Sequence, residues 1–568
     1  MASLSRTRKW LNSKVDWLCR DGLALLVFLV AGCVAIYPLL FAMDTLVLGW
    51  AGDNIQYVYM IGRIAEALRT FQSPLVDPQL NYPGSLALAA TDAPFLMMIA
   101  VSPAVWIANP VFAYNLLIFL SYFFSGYFTY LWFCRLTGNR FGGLVAGLIF
   151  LLLPFRVVHS YGHLQLVTTL FIPLFFWSLD DLLISEIPTL KNLGLVAGAT
   201  FLAGSGMGQY YLVICLISGF IYIVLFKPSI NYLKSSGWKI LVAAGLGAIT
   251  SALPYLALTG DELATPFKIA DTRIWSASLV DFIAPSRLHP IWGHVIDRVY
   301  PRLAWIEHTV YLGIFQILLA IVGLIWAERV YYRRNLVWIG VALTGLILAL
   351  GTDLRISMGV PLQAQHPIWL PAYYFGQLPY LGLMRVWARF AIVPMFFTAM
   401  LAGIGALSLL RKFNLGKAGM FVVLALVCID FAPGRLTNVL LKPRAIDIWL
   451  AEQPGDYAIA FLPPGVEVYE AMYGSLIHNK KMPAFNHPNH LPTEFRQFQS
   501  KATGVPGIHA LRKLKNMQLR LIIFYRPMYD GQSRPEWSLM RNSLLGTGMV
   551  RELTEVDEFS IFEFSQLP

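Results

Sequence analysis

Long apolar runs separated by short polar loops dominate the first 430 positions of the chain. Most of these runs approach the roughly 17–25 residues that cross a hydrocarbon core about 30 Å thick. We predict spans near 22–42, 113–134, 143–155, 164–181, 193–207, 210–226, 239–257, 309–326, 336–351, 389–410 and 418–433. The pattern predicts a polytopic α-helical membrane protein of about 11–13 spans.

The stretch from Ala93 to Pro110 interrupts this count because it contains Pro94 and Pro103. If it crossed the membrane fully, the basic loops that follow would fall on the outer side. We therefore interpret it as a re-entrant or partly crossing segment, whose backbone must be shielded by protein or by a cavity.

Lys and Arg residues indicate the orientation of the chain. The first apolar run follows a basic N-terminus and has no small-residue cleavage site, which indicates a retained span with a cytoplasmic start. The basic residues of that N-terminus are Arg6, Arg8, Lys9, Lys14 and Arg20. The long loops at 43–92, 258–308 and 352–388, and everything after about 433, are then extracytoplasmic.

Hydropathy falls after about residue 433, so we divide the chain into a membrane domain (1–433) and a soluble domain (434–568). Within the soluble domain, 457–462, 519–525 and 559–564 have the pattern of short strands, and 508–517 that of a basic helix. The pattern predicts a small α/β domain on the outer face.

Composition supports a lipid-solvated protein and argues against several function classes. Only 13% of residues are charged and 57% are hydrophobic, whereas soluble proteins carry about 25% charged residues. The net charge of +11 comes largely from loop residues that set topology, so we predict no nucleic-acid partner. The five cysteines lie in or beside apolar runs and form no CxxC, which indicates neither a disulfide framework nor a zinc site.

Gly52-Asp53-Asn54 follows the first span and opens the first long outer loop. A carboxylate beside a lipid-embedded cleft is costly unless it performs chemistry or finds a partner. We interpret Asp53 as a general base that deprotonates an acceptor hydroxyl; the alternative is that it caps the following helix. Asn54, Gln56 and Tyr82 of the same loop are our candidates for substrate binding.

A second polar group, Arg156 with His159 and His163, lies near the outer end of a short helical hairpin. The two histidines are four residues apart and share a helix face if the turn is helical. We expect the three side chains to contact a donor phosphate. Metal ligation and a purely interfacial position are the alternatives, and histidines at this spacing without an intervening Glu indicate zinc only weakly.

Arg385 and Arg389 flank Trp387 where the chain enters the span at 389–410 from outside. Two guanidinium groups four residues apart suit a phosphate or diphosphate, and fixed cations stabilise charge that develops on a leaving group. The alternative is that both arginines snorkel to the interface.

Further outer-loop acids are candidates for a second catalytic or substrate-binding carboxylate, and the sequence does not rank them. They are Asp261, Glu262, Asp271, Asp281, Asp297 and Glu307.

Taken together, these features resemble the C-type (GT-C) glycosyltransferases, and most closely a group of bacterial multi-span members of that superfamily. The shared features are the inward-starting first span, the acidic first outer loop with its interfacial helix, and the soluble domain after the last span. Matching stretches are Gly52-Asp53 with Asn81-Tyr82-Pro83, Asn109 to Asn115, Pro154-Phe155-Arg156 with His159, His163 and Gln165, and Met472 to Lys481.

The resemblance implies sugar transfer from a polyprenyl-phosphate donor to an acceptor on a glycan, a lipid or a protein, at the outer face of a bacterial inner membrane. It implies the role of base for Asp53 alone. We assign no metal ligand and leave a divalent metal open. Two other function classes remain: a transporter or flippase of a lipid-linked saccharide, and a non-catalytic scaffold.

Overall fold

Helices form most of the chain, and they are described here from a computed structural model. The structure describes residues 21–88, 91–185, 187–227, 229–257, 268–357, 367–378, 380–484 and 492–565. The basic N-terminal residues Arg6 to Arg20 and the loop acids Asp261 and Glu262 lie outside the described residues.

The helices of the membrane region are short or broken as often as they are long. They are α1 Asp21–Ala35, α2 Asp53–Arg69, α3 Phe95–Ile107, α4 Pro110–Thr137, α5 Arg140–Leu152, α6 Pro154–His159, α7 Leu164–Val167, α8 Phe171–Ile184, α9 Leu190–Met207, α10 Gln209–Phe226, α11 Ile230–Ser251, α12 Ile269–Ile274, α13 Gly293–Val299, α14 Ile314–Trp326, α15 Arg329–Ala349, α16 Pro371–Phe375, α17 Ile392–Lys412 and α18 Lys417–Asp430.

Among the described residues, four helical segments are long and apolar enough to cross a membrane. They are α4, the α5–α6 unit from Arg140 to His159, α10, and the segment Trp387–Lys412 that contains α17. The predicted polytopic helical class is confirmed, and the number of 11–13 spans stays a prediction. The 13-residue helix α3 is about 20 Å long at 1.5 Å per residue, so it is shorter than the core, and its re-entrant course also stays a prediction.

Prolines break two of the predicted spans and thereby shape the outer surface. Leu153 takes an extended ψ of 125° before Pro154, as residues before proline do, and this separates α5 from α6. The span predicted at 164–181 is divided into α7 and α8. Pro173 lies in the first turn of α8, which begins at Phe171, and its ring is incompatible with a helical carbonyl at Thr169, so the helix does not continue back to that residue.

Close packing between spans depends on glycines at the α14–α17 contact. A Cβ atom on Gly405 would overlap the backbone carbonyl of Leu319, and one on Gly323 would overlap that of Leu401. Small residues at such contacts let two helix backbones approach, which is how helices associate in a lipid environment.

The C-terminal region contains the predicted sheet. Its elements are α19 Ala445–Glu452, β5 Ala458–Leu462, α20 Val468–His478, α21 Thr493–Ala502, α22 Ile508–Lys515, β6 Leu519–Tyr525, α23 Trp537–Gly546, β7 Val550–Val556 and β8 Phe559–Phe564. The strand order is β5-β6-β8-β7, with β5 parallel to β6 and the other pairs antiparallel. The three predicted strands and the basic helix are confirmed. Strand β7 was missed because its apolar residues, Val550, Leu553 and Val556, recur every third position and do not alternate with polar ones.

Two short β-ladders fix the first long loop, and one of them joins it to the chain after the last span. Strand β1 (Leu46–Leu48) pairs antiparallel with β4 (Asn438–Leu440). Within the loop, β2 (Val76–Asp77) pairs with β3 (Leu86–Ala87). The Asn81 side chain donates to Glu494 at 3.1 Å. The loop that carries Asp53 is therefore held on both sides by fixed structure.

Candidate active site

Asp53 is the first residue of α2, and the segment before it is fixed by close backbone contacts. Gly49 has a φ of +91°, and a Cβ there would lie 2.6 Å from the carbonyl oxygen of Tyr161. The Gly49 amide donates to the carbonyl of Thr437 at 2.9 Å. Only glycine satisfies both the positive φ and the close approach, so this residue sets where the helix begins.

The Asp53 side chain does not cap its helix, because the N-cap residue is Gly52. Its Oδ1 instead accepts a hydrogen bond from the Tyr469 hydroxyl of α20 at 2.6 Å. Burial raises the pKa of Asp53 above its usual range, although Tyr469, Arg389 and Arg385 each favour the carboxylate. The capping alternative therefore does not describe this residue, and its raised pKa suits a general base.

Arg389 lies on the far side of the site in a buried ion pair with Glu307. Its Nη2 is 2.6 Å from Glu307 Oε1, and its guanidinium stacks 4.7 Å from the Tyr210 ring centre. Burial would raise the pKa of Glu307, but the charge of Arg389 holds it well below its usual range. Glu307 is thus a fixed carboxylate at this cluster, and the charge of Asp271 also acts on Arg385.

His159 and His163 adjoin this ion pair. His159 is fully buried, with Nδ1 2.6 Å from the Phe155 carbonyl and Nε2 3.1 Å from Glu307 Oε2. Burial lowers the pKa of His163 to about 3 despite the Glu307 charge, so the imidazole is neutral. The neighbouring Gly162 packs against Asp53, since a Cβ on it would lie 3.7 Å from the Asp53 Cβ.

Arg385 occupies the more accessible side of the cluster. It is half-buried, and its guanidinium lies 4.9 Å from the centre of the Trp275 ring. Its charge acts on both Asp53 and His163. The structure therefore brings Asp53, His163, Arg385 and Arg389 together, with the two arginines in different settings: Arg389 is anchored by a carboxylate and Arg385 is partly exposed.

Arg156 does not reach this cluster, which corrects the expectation that it contacts a phosphate. Its guanidinium is completely buried between spans. It donates to the Ser125 hydroxyl at 2.6 Å and to several backbone carbonyls, and it stacks 4.4 Å from the Tyr122 ring. These contacts occupy the N–H groups that Arg156 would need in order to bind a phosphate. The two ring nitrogens of His159 likewise face the Phe155 carbonyl and Glu307, so the expected contact between His159 and a phosphate is also wrong.

Of the three residues proposed for substrate binding, Asn54 has another role, whereas substrate contact by Gln56 and Tyr82 stays a prediction. Asn54 is buried, and its amide donates to the carbonyls of Leu48 and Trp50, so it fixes the loop instead. Gln56 is buried on α2. Tyr82 donates its backbone N–H to the Met482 carbonyl, at the contact with the C-terminal region.

Three residues of the site were missed by sequence reasoning. Tyr469 is separated from Asp53 by more than 400 positions and lies in no recognisable motif. Asp92 accepts from the Gln209 amide at 2.8 Å, and its other carboxylate oxygen is buried without a hydrogen-bond partner among the described residues. Tyr57 lies between them on α2, with its hydroxyl 2.6 Å from Gln165 Oε1. A helical count from Asp53 would have indicated Tyr57, which lies one turn further on.

A metal ion could be held at one place among the described residues: one ligand atom from each of His159, His163 and Glu307 lies within 4.8 Å of the others.

No protein-family model matches the chain, and no curated protein sequence matches it. Solved structures do match. The arabinofuranosyltransferase AftD from Mycobacteria aligns with a TM-score of 0.56 at 12% identity, over 97% of this chain and 40% of AftD. ArnT from Cupriavidus metallidurans, bound to undecaprenyl phosphate, aligns with a TM-score of 0.51 at 11% identity, over 95% of this chain and 98% of ArnT.

The chain has a GT-C-like fold. Both matched structures are GT-C glycosyltransferases, and the resemblance expected from the sequence is confirmed at the level of fold. The chain spans less than half of AftD and nearly the whole of ArnT. In this GT-C-like fold, the cluster around Asp53 lies where the first outer loop, the α6–α7 turn and the start of the Trp387–Lys412 segment meet.

Proposed function

We propose that this protein transfers a sugar from a polyprenyl-phosphate donor to an acceptor hydroxyl at the outer face of the cytoplasmic membrane. Asp53 takes the hydroxyl proton as the acceptor oxygen attacks the anomeric carbon. The bond between that carbon and the phosphate oxygen breaks, and the phosphate leaves with the electron pair. A single displacement of this kind inverts the anomeric centre.

The observation that carries the proposal is a half-buried Asp53 carboxylate on which the charges of two arginines act. A base must be unprotonated near neutral pH and yet basic enough to accept a proton. Burial raises the basicity of Asp53, while Arg385, Arg389 and the Tyr469 hydroxyl favour the charged form. Asp53 is therefore a stronger base than a solvated aspartate.

The arginines are the proposed site of the leaving phosphate. Arg389 is already neutralised in part by Glu307, so it supplies a fixed dipole with its positive end at the site. Arg385 is partly exposed and adds a second guanidinium group to the site. Donors that are pre-positioned in a water-poor site stabilise developing charge strongly, because they need not reorganise during the reaction.

The fold comparison supports a lipid-linked donor in general, since the matched ArnT structure holds undecaprenyl phosphate. We propose a bacterial inner membrane as the location, with residues 434–568 as an extracytoplasmic domain that contributes to acceptor binding.

Replacement of Asp53 by Asn tests the proposal directly. The full-length protein in liposomes receives a panel of labelled polyprenyl-phosphate pentoses and hexoses with candidate acceptors. We expect Asp53→Asn to lower the rate of product formation by at least about 100-fold, the usual lower bound for loss of a general base. Asp44→Asn is the matched control, because Asp44 is an exposed acid of the same loop.

Two outcomes would contradict the proposal. Parental rates in a well-expressed Asp53→Asn protein would remove Asp53 from the role of base. Movement of the labelled lipid between leaflets without any new glycosidic bond, in the parental protein, would support the transporter instead.

A further inference from the structure

His159, His163 and Glu307 form a compact cluster beside Asp53 whose chemistry goes beyond phosphate contact. Each side chain offers one ligand atom, and these atoms lie within 4.8 Å of one another. Two imidazoles and one carboxylate form a ligand set that proteins use for Zn²⁺ when a fourth position must stay open. The cluster therefore has the donor types of a metal site.

The hydrogen-bond roles at His159 are incomplete without a cation. Its Nδ1 is 2.6 Å from the Phe155 carbonyl, which only accepts, so Nδ1 carries the ring proton. In the neutral ring Nε2 then has a lone pair, and it faces Glu307 Oε2, which is also an acceptor. Two acceptors in contact require either a second proton on the ring or a cation that binds both.

The distance between these two atoms is compatible with a bound cation. Nε2 and Oε2 are 3.1 Å apart, and two ligands at 2.0–2.1 Å from a tetrahedral Zn²⁺ are about 3.3 Å apart.

His163 supplies the third ligand. Its ring centre is 5.2 Å from that of His159, and its Nδ1 is buried with no hydrogen-bond partner among the described residues. A buried nitrogen without a partner costs free energy, and coordination to a cation would remove that cost.

The contacts around the cluster resemble the outer partners of metal ligands. The Phe155 carbonyl fixes the orientation of the His159 ring. Arg389 Nη2 donates to Glu307 Oε1 at 2.6 Å, and its Nε lies 3.3 Å from both carboxylate oxygens, so Arg389 fixes the orientation of the carboxylate whose Oε2 also contacts His159. Such partners orient ligands and contribute to metal affinity.

We propose that His159, His163 and Glu307 bind one divalent transition-metal ion, with Zn²⁺ the best match to this ligand set. Imidazole and carboxylate together suit Zn²⁺ better than Mg²⁺ or Ca²⁺, which prefer oxygen ligands throughout. Three protein ligands leave one position for water or for an oxygen of a bound molecule. Metal binding is independent of sugar transfer, so it stands or falls separately from the proposed function.

Metal content tests the proposal without any substrate. The full-length protein in detergent is stripped with a chelator, reloaded with Zn²⁺, passed through a gel-filtration column and measured by inductively coupled plasma mass spectrometry. We expect about one Zn²⁺ per chain in the parental protein, and an X-ray absorption spectrum with a nitrogen and oxygen shell at about 2.0–2.1 Å.

His163→Ala and Glu307→Gln remove one ligand each, and His294→Ala is the control because His294 is an exposed histidine of the outer loop. Loss of a group that hydrogen-bonds to a metal ligand weakens metal binding by roughly 10–100-fold. Loss of a ligand itself is therefore expected to weaken binding by more than about 100-fold. His294→Ala should keep the parental content. Because Glu307 also neutralises Arg389, Glu307→Gln risks misfolding, and His163→Ala then carries the test.

Two results would overturn the proposal. One is a parental protein that retains no Zn²⁺ after reloading and shows no rise in its thermal unfolding temperature with added Zn²⁺. The other is a folded His163→Ala protein that binds Zn²⁺ as tightly as His294→Ala. In either case the cluster is an ion network of an imidazolium, Glu307 and Arg389.

Discussion

The hydrogen bond between Tyr469 and Asp53 joins the C-terminal region to the proposed catalytic base. Burial raises the pKa of Asp53, and the Tyr469 hydroxyl opposes this by stabilising the carboxylate. A base works only when it is unprotonated. The rate should therefore fall as the pH falls through the raised pKa, and the acid limb should lie above the usual range of a solvated aspartate.

Tyr469→Phe is expected to move that acid limb to higher pH. Removal of the hydroxyl takes away a hydrogen bond that favours the charged form, so the pKa of Asp53 rises further. The measurement is the pH dependence of kcat/KM, with Tyr374→Phe, an exposed outer-loop tyrosine, as the control. An unchanged limb in a folded Tyr469→Phe protein would mean that this bond does not tune the base.

Charged residues were identified from the sequence more reliably than their roles were. The charges of Arg385 and Arg389 act on both Asp53 and His163, so these four residues lie in one region of the fold, and their joint role in a site stays a prediction. Arg156 has the same charge and a neighbouring position, yet it is consumed by carbonyls of its own helix bundle. Whether a guanidinium already has hydrogen-bond partners depends on residues of other helices. A single stretch of sequence does not show those contacts.

The α14–α17 contact shows what fixes one helix against another in this fold. Gly405 and Gly323 face backbone carbonyls of the opposite helix without room for a side chain. The contact therefore depends on the absence of a Cβ atom, not on a particular side-chain interaction.

Gly405→Ala is expected to destabilise the protein by about 1–3 kcal/mol, the usual cost of overpacking. Gly198→Ala is the matched control, because Gly198 lies inside helix α9 and a Cβ there meets nothing within 4 Å. That substitution should be neutral or stabilising by up to about 1 kcal/mol, since Ala is the better helix former. Thermal unfolding in detergent measures both, and equal effects would contradict the role of the contact.

Elements were predicted well where a local pattern decides them. The apolar strand at Leu519–Tyr525 and the basic helix at Ile508–Lys515 were found within a few residues. The break between α7 and α8 was missed because only Thr168 and Thr169 interrupt an otherwise apolar run there, and the backbone constraint of Pro173 is the clearer signal. Strand β7 was missed because most of its residues are polar and its apolar residues do not alternate with them.

At the scale of the whole molecule, the C-terminal region packs against the loop that carries Asp53. Strand β1 of that loop is paired with β4, and Gly62 of α2 packs against Leu476 of α20, where a Cβ would lie 2.7 Å from a Leu476 methyl. The sequence predicted the soluble region but not this contact, because no local pattern encodes a pairing between residues 400 positions apart.

Removal of residues 434–568 is expected to lower the thermal unfolding temperature and to abolish sugar transfer. The truncated chain leaves β1 unpaired and exposes the apolar face of α2 that α20 covers, although Asp53, Arg385 and Arg389 remain. Fluorescence-detected unfolding and the liposome assay measure the two effects, with Tyr469→Phe as the reference. If the truncated protein were as active as Tyr469→Phe, residues 434–568 would contribute to sugar transfer only through the Tyr469 hydroxyl.

The hydrogen bond from Tyr469 to Asp53 also affects the geometry of the site. In the proposed mechanism Tyr469 already donates to Oδ1, so Oδ2 is the more available oxygen for the incoming alcohol. The position of the acceptor oxygen beside the base is then set in part by a side chain of the C-terminal region.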